Sequence, residues 1–425
     1  MQENKKKSIL ERFKKSFGPG VVTGIADDDP SGIATYAQTG AIFGLSQLWL
    51  ALFSFPFMSA IQEMCGRIGM VTGKGLAGVL KIHYSKKILF FSVALLAIAN
   101  IINIGADLGA MASATQLILP IPFWTALIIL TIITILAEVF IPYPNYVKFL
   151  KYMALTVFAY VLAAFAVKQD WSSIAIATII PHIEFSKAYA LNIVAMLGTT
   201  ISPYLFFWQS DEEVEEEIVN HKIRAMGKGV PKINHSDVAQ MRSDTITGMF
   251  VSNLITFFII ITSAKTFGTL GIHEVTSAAQ VASALEPIAG HFASLLFTVA
   301  ILGTGLLAVP VLAGSAAYAL SEAFHWEEGL SKKFSQAKGF YITIIVATIV
   351  GVFINFSSIS PITMLYYAAA LNGVLAPPLM IMILLISNNK KILGEYTNSK
   401  TSNILGVIIT VLMSIMAIIF LGTMF

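Results

Sequence analysis

Charged residues, cysteines and long polar stretches are scarce in this sequence of 425 residues. Only 12% of the residues are charged, about half of the share that a soluble domain carries, whereas 56% are hydrophobic and the mean hydropathy is +0.77. The single cysteine, Cys65, excludes a disulfide framework within the chain. No basic domain is present to bind nucleic acid, and neither His-Glu-x-x-His nor Gly-x-Ser-x-Gly occurs. We therefore expect no nucleic-acid partner, no enzyme activity and no cofactor.

The abundant feature is a series of apolar runs of about 20 residues, the length that crosses a bilayer as a helix. They predict an all-α polytopic membrane protein whose residues 1–425 form one transmembrane domain embedded in lipid. The eleven predicted spans cover approximately residues 19–42, 46–69, 88–112, 121–141, 149–168, 190–210, 245–268, 291–323, 340–357, 362–387 and 403–424.

The distribution of lysine and arginine predicts the orientation of these spans. With the N-terminus in the cytoplasm, only Lys168, Lys187 and Lys265 lie on the outer side, and all other basic residues lie on the inner side or at inner helix ends. Positive charge concentrates on the cytoplasmic side of membrane proteins. We therefore expect a cell-membrane protein with a cytoplasmic N-terminus and an extracytoplasmic C-terminus, whose oligomeric state is left open.

Three consecutive aspartates interrupt the first span. Asp27, Asp28 and Asp29 are followed by Pro30 and, after one serine, by Gly32. Proline and glycine break a helix at this point, and broken backbone at membrane depth is tolerated where it lines a cavity or packs against protein. A carboxylate at that depth persists mainly where it faces a cavity or a cation. The combination predicts a cation site near the bilayer midplane.

The sixth span is interrupted in the same way, at Ser202 and Pro203. Paired interruptions in corresponding spans of two halves are typical of inverted-repeat transporters, and the free carbonyls at such breaks are oxygen ligands. The two repeats are predicted over about 19–168 and 190–387, with an additional helix over about 403–424.

The largest insert, a predicted cytoplasmic loop over 211–244, begins with the acidic run Asp-Glu-Glu-Val-Glu-Glu-Glu. Two interpretations are open. The run is either a solvated helix end or an acidic vestibule that attracts cations or receives them on release.

Four segments resemble the NRAMP family of divalent-metal transporters. They are the Gly18–Gly32 region with its Asp-Pro-Ser-Gly, the run from Gln62 to Lys74, the segment Gly105–Leu108 with Asp107, and the segment Gly198–Tyr204. The resemblance implies a LeuT-type fold of five plus five inverted helices, with helices 1 and 6 broken at the midplane, and alternating access.

The departures from the family pattern resemble the branch of NRAMP-related magnesium transporters. The family's metal-binding Asn falls on Gly32, its Met on Ser202, the following His on Tyr204 and its ligating carbonyl on Thr199. A thioether favours soft metals, whereas Mg²⁺ requires oxygen ligands and usually retains several waters. The resemblance thus implies a metal site whose ligands or lining residues are Asp29, Asp28, Thr199, Ser202, Gly32, Tyr204 and, in span ten, Asn372.

Asp27 and Asp28 either line a vestibule or cap a half-helix, and Asp107 is either a structural acid or a proton relay. Because two further family acids fall on Asn100 and Ala110, we expect uptake of Mg²⁺ and Mn²⁺ into the cytoplasm without proton coupling. The alternative is a proton-coupled Mn²⁺/Fe²⁺ transporter. A more distant alternative is a Na⁺-coupled amino-acid transporter, whose substrate carboxylate the three aspartates would repel.

Overall fold

A computed structural model describes residues 18–141 and 155–422 of the protein. These residues form eighteen α-helices, joined by turns and short 3₁₀ segments. In chain order the helices are α1 Pro19–Asp27, α2 Pro30–Phe43, α3 Trp49–Thr72, α4 Leu76–His83, α5 Lys86–Thr115, α6 Phe123–Phe140, α7 Ala159–Ala166, α8 Trp171–Ile179, α9 Lys187–Thr200, α10 Pro203–Val219, α11 His235–Leu270, α12 Ala278–Ser283, α13 Glu286–Ala289, α14 Ala293–Phe324, α15 Lys338–Val352, α16 Pro361–Ser387, α17 Lys390–Leu393 and α18 Lys400–Gly422.

Eight helical stretches among the described residues are long and apolar enough to cross a membrane. Three predicted spans are not among them. The first is divided between α1 and α2, the second is α3 with its buried Glu63–Arg67 ion pair, and the fifth, 149–168, lies partly outside the described residues. The all-helical membrane architecture predicted from the sequence is confirmed.

Both predicted helix breaks are present. Asp28 and Asp29 separate α1 from α2, with the backbone of Asp29 extended (φ −66°, ψ 173°) and Pro30 at the first position of the new helix. Ile201 and Ser202 separate α9 from α10, and Pro203 begins the second half. Proline is favoured at the first helical position because its missing N–H would have no partner there and its φ is already helical.

Glycine contacts fix the position of each break. A Cβ on Gly24 of α1 would lie 2.3 Å from the Gly248 carbonyl oxygen of α11, and a Cβ on Gly198 of α9 would lie 2.1 Å from the Ala369 carbonyl oxygen of α16. Only glycine permits backbones to approach so closely. Each break is therefore held against a continuous helix.

The structure corrects the interpretation of the insert at 211–244. Helix α10 continues to Val219 and α11 begins at His235, so only residues 220–234 connect them. The acidic run is largely buried on α10, which packs between α3 and α14. Glu213 accepts from Gln209 (2.8 Å) and Glu215 accepts from the Tyr318 hydroxyl (2.9 Å). The solvated helix end is wrong because most of these carboxylates are buried inside the protein, and the run is not an open vestibule in this structure.

Candidate metal site at the two helix breaks

Asp29 is the N-cap of α2 and lies fully inside the protein, with 1% of its surface exposed. Its Oδ1 accepts from the Ser31 hydroxyl (2.6 Å) and from the backbone N–H of Gly32 (2.7 Å). Aspartate is preferred at this position because its side chain accepts from N–H groups that have no partner within the helix. The carboxylate is therefore held in one place by its own helix.

The second break contributes groups to the same carboxylate. The hydroxyl of Tyr204, on α10, lies 3.3 Å from Asp29 Oδ2 and 3.1 Å from the Ala26 carbonyl oxygen. The hydroxyl of Thr199, on α9, lies 3.3 Å from that of Ser31. The structure thus brings Asp29, Thr199 and Tyr204 together, although 175 residues separate Asp29 from Tyr204.

Ser202 lies at the centre of the second break. Its hydroxyl donates to the carbonyl oxygens of Gly198 and Thr199, each at 2.8 Å. The predicted Thr199 carbonyl therefore lies beside the predicted Ser202 hydroxyl, and both groups carry oxygen rather than sulfur.

Gly32 is closely packed between the two breaks. A Cβ at this position would lie 3.2 Å from the Asp27 carbonyl oxygen and 3.5 Å from the Thr199 hydroxyl oxygen. A longer side chain would therefore press on groups of both breaks, and glycine allows them to approach each other.

Asp27 and Asp28 turn away from Asp29 toward α11. The Ser252 hydroxyl lies 2.6 Å from Asp27 Oδ2 and 3.4 Å from Asp28 Oδ1. Asp28 is thus adjacent to the Asp29 group in sequence, but in this structure it faces a different helix. No sequence motif predicted a role for Ser252, which lies in a mainly apolar stretch of α11.

Asp107 and Asn372 differ in their surroundings. Neither carboxylate oxygen of the buried Asp107 has a hydrogen-bond partner among the described residues, and its charge interacts with that of Asp29. The structure therefore gives no support to Asp107 as a satisfied structural acid. Asn372 instead exchanges two hydrogen bonds with Asn103 of α5, at 2.9 and 3.2 Å. Its amide is occupied by that pair.

The site is rich in oxygen and negative charge. Within residues 18–141 and 155–422, no three His, Cys, Asp or Glu side chains converge so as to hold a metal by themselves. Hydroxyls, carbonyls and water would therefore complete the coordination of an ion at Asp29. Hard cations such as Mg²⁺ and Mn²⁺ accept such a ligand set.

Comparison with known proteins gives consistent results across the chain. Residues 20–423 match the family model described as Nramp, natural resistance-associated macrophage protein-like. A protein from Clostridium acetobutylicum named divalent metal cation transporter MntH is 26% identical, over 98% of this chain and 94% of its own length. Its namesake from Caldanaerobacter subterraneus subsp. tengcongensis is 25% identical, over 94% and 91% respectively.

Solved structures share the fold. A manganese transporter from Eremococcus coleocola superposes with a TM-score of 0.73 at 16% identity, covering 99% of this chain and 88% of that one. Mhp1, a nucleobase-cation-symport-1 family transporter, superposes with a TM-score of 0.59 at 13% identity, over 96% and 93%. These likenesses confirm the predicted transporter fold.

Proposed function

This chain belongs to the Nramp family, and from that premise we propose that it moves divalent metal cations across the membrane by alternating access, with Mg²⁺ and Mn²⁺ as its ions. Relatives named as divalent metal cation transporters, and a manganese transporter of the same fold, support the class of substrate. Asp29, the Thr199 carbonyl and Ser202 are the proposed ligands, with Tyr204 and Gly32 lining the site and Asp28 beside it.

The choice of ion rests on the donors at the second break, where Ser202 and the Thr199 carbonyl offer oxygen and not sulfur. Ser202 presents a hydroxyl at the point where its carbonyl partners cluster, and Gly32 presents no side chain. Mg²⁺ dehydrates reluctantly and retains water when it binds proteins. A set of oxygen donors therefore suits Mg²⁺, and it also accepts Mn²⁺.

We propose that uptake is driven by the membrane potential without proton coupling. Tyr204 is not a titratable group near neutral pH, and Asn100 is a structural amide that donates to the Leu312 carbonyl oxygen and to Ser315, both at 2.7 Å. The potential supplies about 2.3 kcal/mol per charge per 100 mV, and twice that for a divalent ion.

One observation favours the alternative of a proton-coupled Mn²⁺/Fe²⁺ transporter. The buried Asp107 has no hydrogen-bond partner among the described residues and lies within the electrostatic field of Asp29, as a proton-accepting group would. Measurement of proton movement during transport separates the two functions.

Asp29→Asn tests the proposed site. Asparagine also caps helices well, so the substitution removes the charge while α2 retains a cap. We expect Mg²⁺ uptake into cells to fall at least roughly 100-fold, since transport depends on the lost charge, with expression and thermal stability unchanged.

Asp170→Asn is the matched control. Asp170 is the N-cap of α8, and hydrogen bonds from Ser173 and Ser172 lower its pKa to about 2, so it is a charged N-cap like Asp29 but is exposed at the surface. It should leave uptake unchanged. Undiminished Mg²⁺ uptake by Asp29→Asn would remove Asp29 from the site.

A further inference from the structure

A second group of buried oxygens lies on the other side of the first break. Asp27 and Asp28 share the Ser252 hydroxyl, and each leaves its other oxygen, Asp27 Oδ1 and Asp28 Oδ2, without a hydrogen-bond donor among the described residues. Asp27 is completely buried and Asp28 is 2% exposed. Asp29, in contrast, has donors to both of its oxygens.

Two hydroxyls accompany these carboxylates. Tyr36, two turns into α2, lies beside Thr256, one turn after Ser252 on α11. Both side chains are fully buried, and their hydroxyls face each other. The charges of Asp27 and Asp28 act on the Tyr36 hydroxyl. Two carboxylate oxygens that have no donor among the described residues therefore lie near two buried hydroxyls, between the first break and α11.

This arrangement is rigid, because backbone contacts fix α1 against α11. Gly24 and Gly248 hold the backbones of α1 and α11 at contact distance one turn before the aspartates. Asp244, two turns before Ser252, accepts from the N–H groups of Gly18 (3.0 Å) and Gly20 (2.8 Å). The position of the carboxylates is thus set by the backbone, and a buried carboxylate persists only with a compensating partner.

A buried carboxylate is compensated by a proton or by a cation, and the charged groups that act most strongly on Asp28 are Asp27 and Asp29, which carry the same sign when ionised. Four buried aspartates, namely Asp27, Asp28, Asp29 and Asp107, interact electrostatically around the break. A divalent ion between Asp27 and Asp28 would match the charge of those two carboxylates and would be separate from an ion at Asp29.

We propose that Asp27, Asp28 and Ser252 form a second cation position, with Tyr36 and Thr256 as further oxygen donors, and that it holds a divalent ion while another occupies the Asp29 position. The proposal rests on the proposed function, because the ions must reach the break through the same pathway. It assigns to the two additional aspartates a ligand role that is separate from that of Asp29.

Counting bound ions tests the second position. The full-length protein in lipid nanodiscs is titrated with Mn²⁺, and free Mn²⁺ is measured by its electron paramagnetic resonance signal. We expect two ions per wild-type chain, one in Asp27→Asn, one in Asp29→Asn and none in the double variant. Ser252→Ala, which removes one oxygen and no charge, should lower the affinity for the second ion about tenfold.

Thr262→Val is the matched control, because Thr262 is a buried hydroxyl on the same helix whose partner is the Tyr160 carbonyl oxygen (3.0 Å). It should retain both ions. Thermal unfolding of every variant shows that it is folded, and Ser252→Ala provides a test if Asp27→Asn does not fold.

Distinct results overturn distinct claims. One ion in the wild type, lost in Asp29→Asn and unaffected by Asp27→Asn or Ser252→Ala, would overturn the second position while the proposed function stands. Displacement of the second Mn²⁺ ion by an equal concentration of Na⁺ would overturn the assignment of this position to a divalent ion. Failure of the wild type to bind either Mn²⁺ or Mg²⁺ would overturn the proposed function as well.

Discussion

At the scale of single residues, the proposed choice of ion depends on positions 32 and 202. A side chain at 32 would press on the Asp27 carbonyl oxygen and contact the Thr199 hydroxyl, and Ser202 places a hydroxyl beside the Gly198 and Thr199 carbonyl oxygens. A thioether at 202 would add a soft donor. We therefore infer that both positions favour a hard cation.

The double variant Gly32→Asn with Ser202→Met should therefore shift preference from Mg²⁺ toward Mn²⁺. We expect the ratio of Mg²⁺ to Mn²⁺ uptake to fall about tenfold, which corresponds to about 1.4 kcal/mol of differential binding. Competition between the two ions in uptake assays measures the ratio, with each single variant as a comparison. An unchanged ratio would place selectivity outside these two positions.

At the scale of helices, the first half-helix is held at its N-terminus by another element. Asp244 of α11 accepts from the backbone N–H groups of Gly18, Gly20 and, at 3.4 Å, Val21. These N–H groups have no partner within α1, and the carboxylate complements the helix dipole. Alternating access requires an element near the site to move, and α1 ends at Asp27 beside it. Asp244 therefore stabilises α1 in the position that it has in this structure.

Asp244→Ala should loosen α1. Loss of a helix cap costs about 0.5–2 kcal/mol, which corresponds to a roughly two- to thirtyfold increase in the open population. Thr23 is buried on α1, so a Thr23→Cys reporter in a Cys65→Ser background should react faster with a thiol reagent.

Asp237→Ala is the control for this experiment, because Asp237 accepts from the Asn234 N–H at 2.9 Å and pairs with Lys222 at 3.0 Å, and neither partner belongs to α1. It should leave the labelling rate as in the parent. Equal labelling rates in the Asp244 and Asp237 variants would show that α1 is held by packing alone.

The helix breaks and Asp29 could be predicted from the sequence because their signals are local. Asp29, Pro30 and Gly32 lie within four residues, and each has its own backbone preference. Ser252 and Asp244 could not be found, since their partners lie more than 220 residues away and only the fold brings them together. The acidic run at 211–217 misled because the helices that bury it are distant in sequence, as the bond from Tyr318 to Glu215 across 103 residues shows.

At the scale of the whole molecule, the structure gathers basic side chains on one face. Lys74, Lys228 and Lys332, from three different connecting segments, and Lys81 of α4 line one surface cavity. Such a concentration is what the positive-inside rule predicts for a cytoplasmic face. The predicted orientation, with a cytoplasmic N-terminus and an extracytoplasmic C-terminus, places this cavity in the cytoplasm.

Reporter fusions test this orientation directly. Alkaline phosphatase is active only outside the cytoplasm, so a fusion at the C-terminus should be active and a fusion within the 220–234 connection should be inactive. Green fluorescent protein at the same two positions should give the reverse pattern. An inactive C-terminal phosphatase together with a fluorescent C-terminal fusion would reverse the predicted side of the C-terminus.

Uptake by reconstituted protein shows whether the membrane potential drives transport of a hard divalent cation. Proteoliposomes at a set membrane potential are given Mg²⁺ or Mn²⁺ in parallel, with a pH-sensitive dye inside. We expect uptake of both ions that increases with an inside-negative potential and causes no acidification of the lumen. Uptake of Mn²⁺ alone, accompanied by acidification, would contradict the account and identify the protein as a proton-coupled transporter.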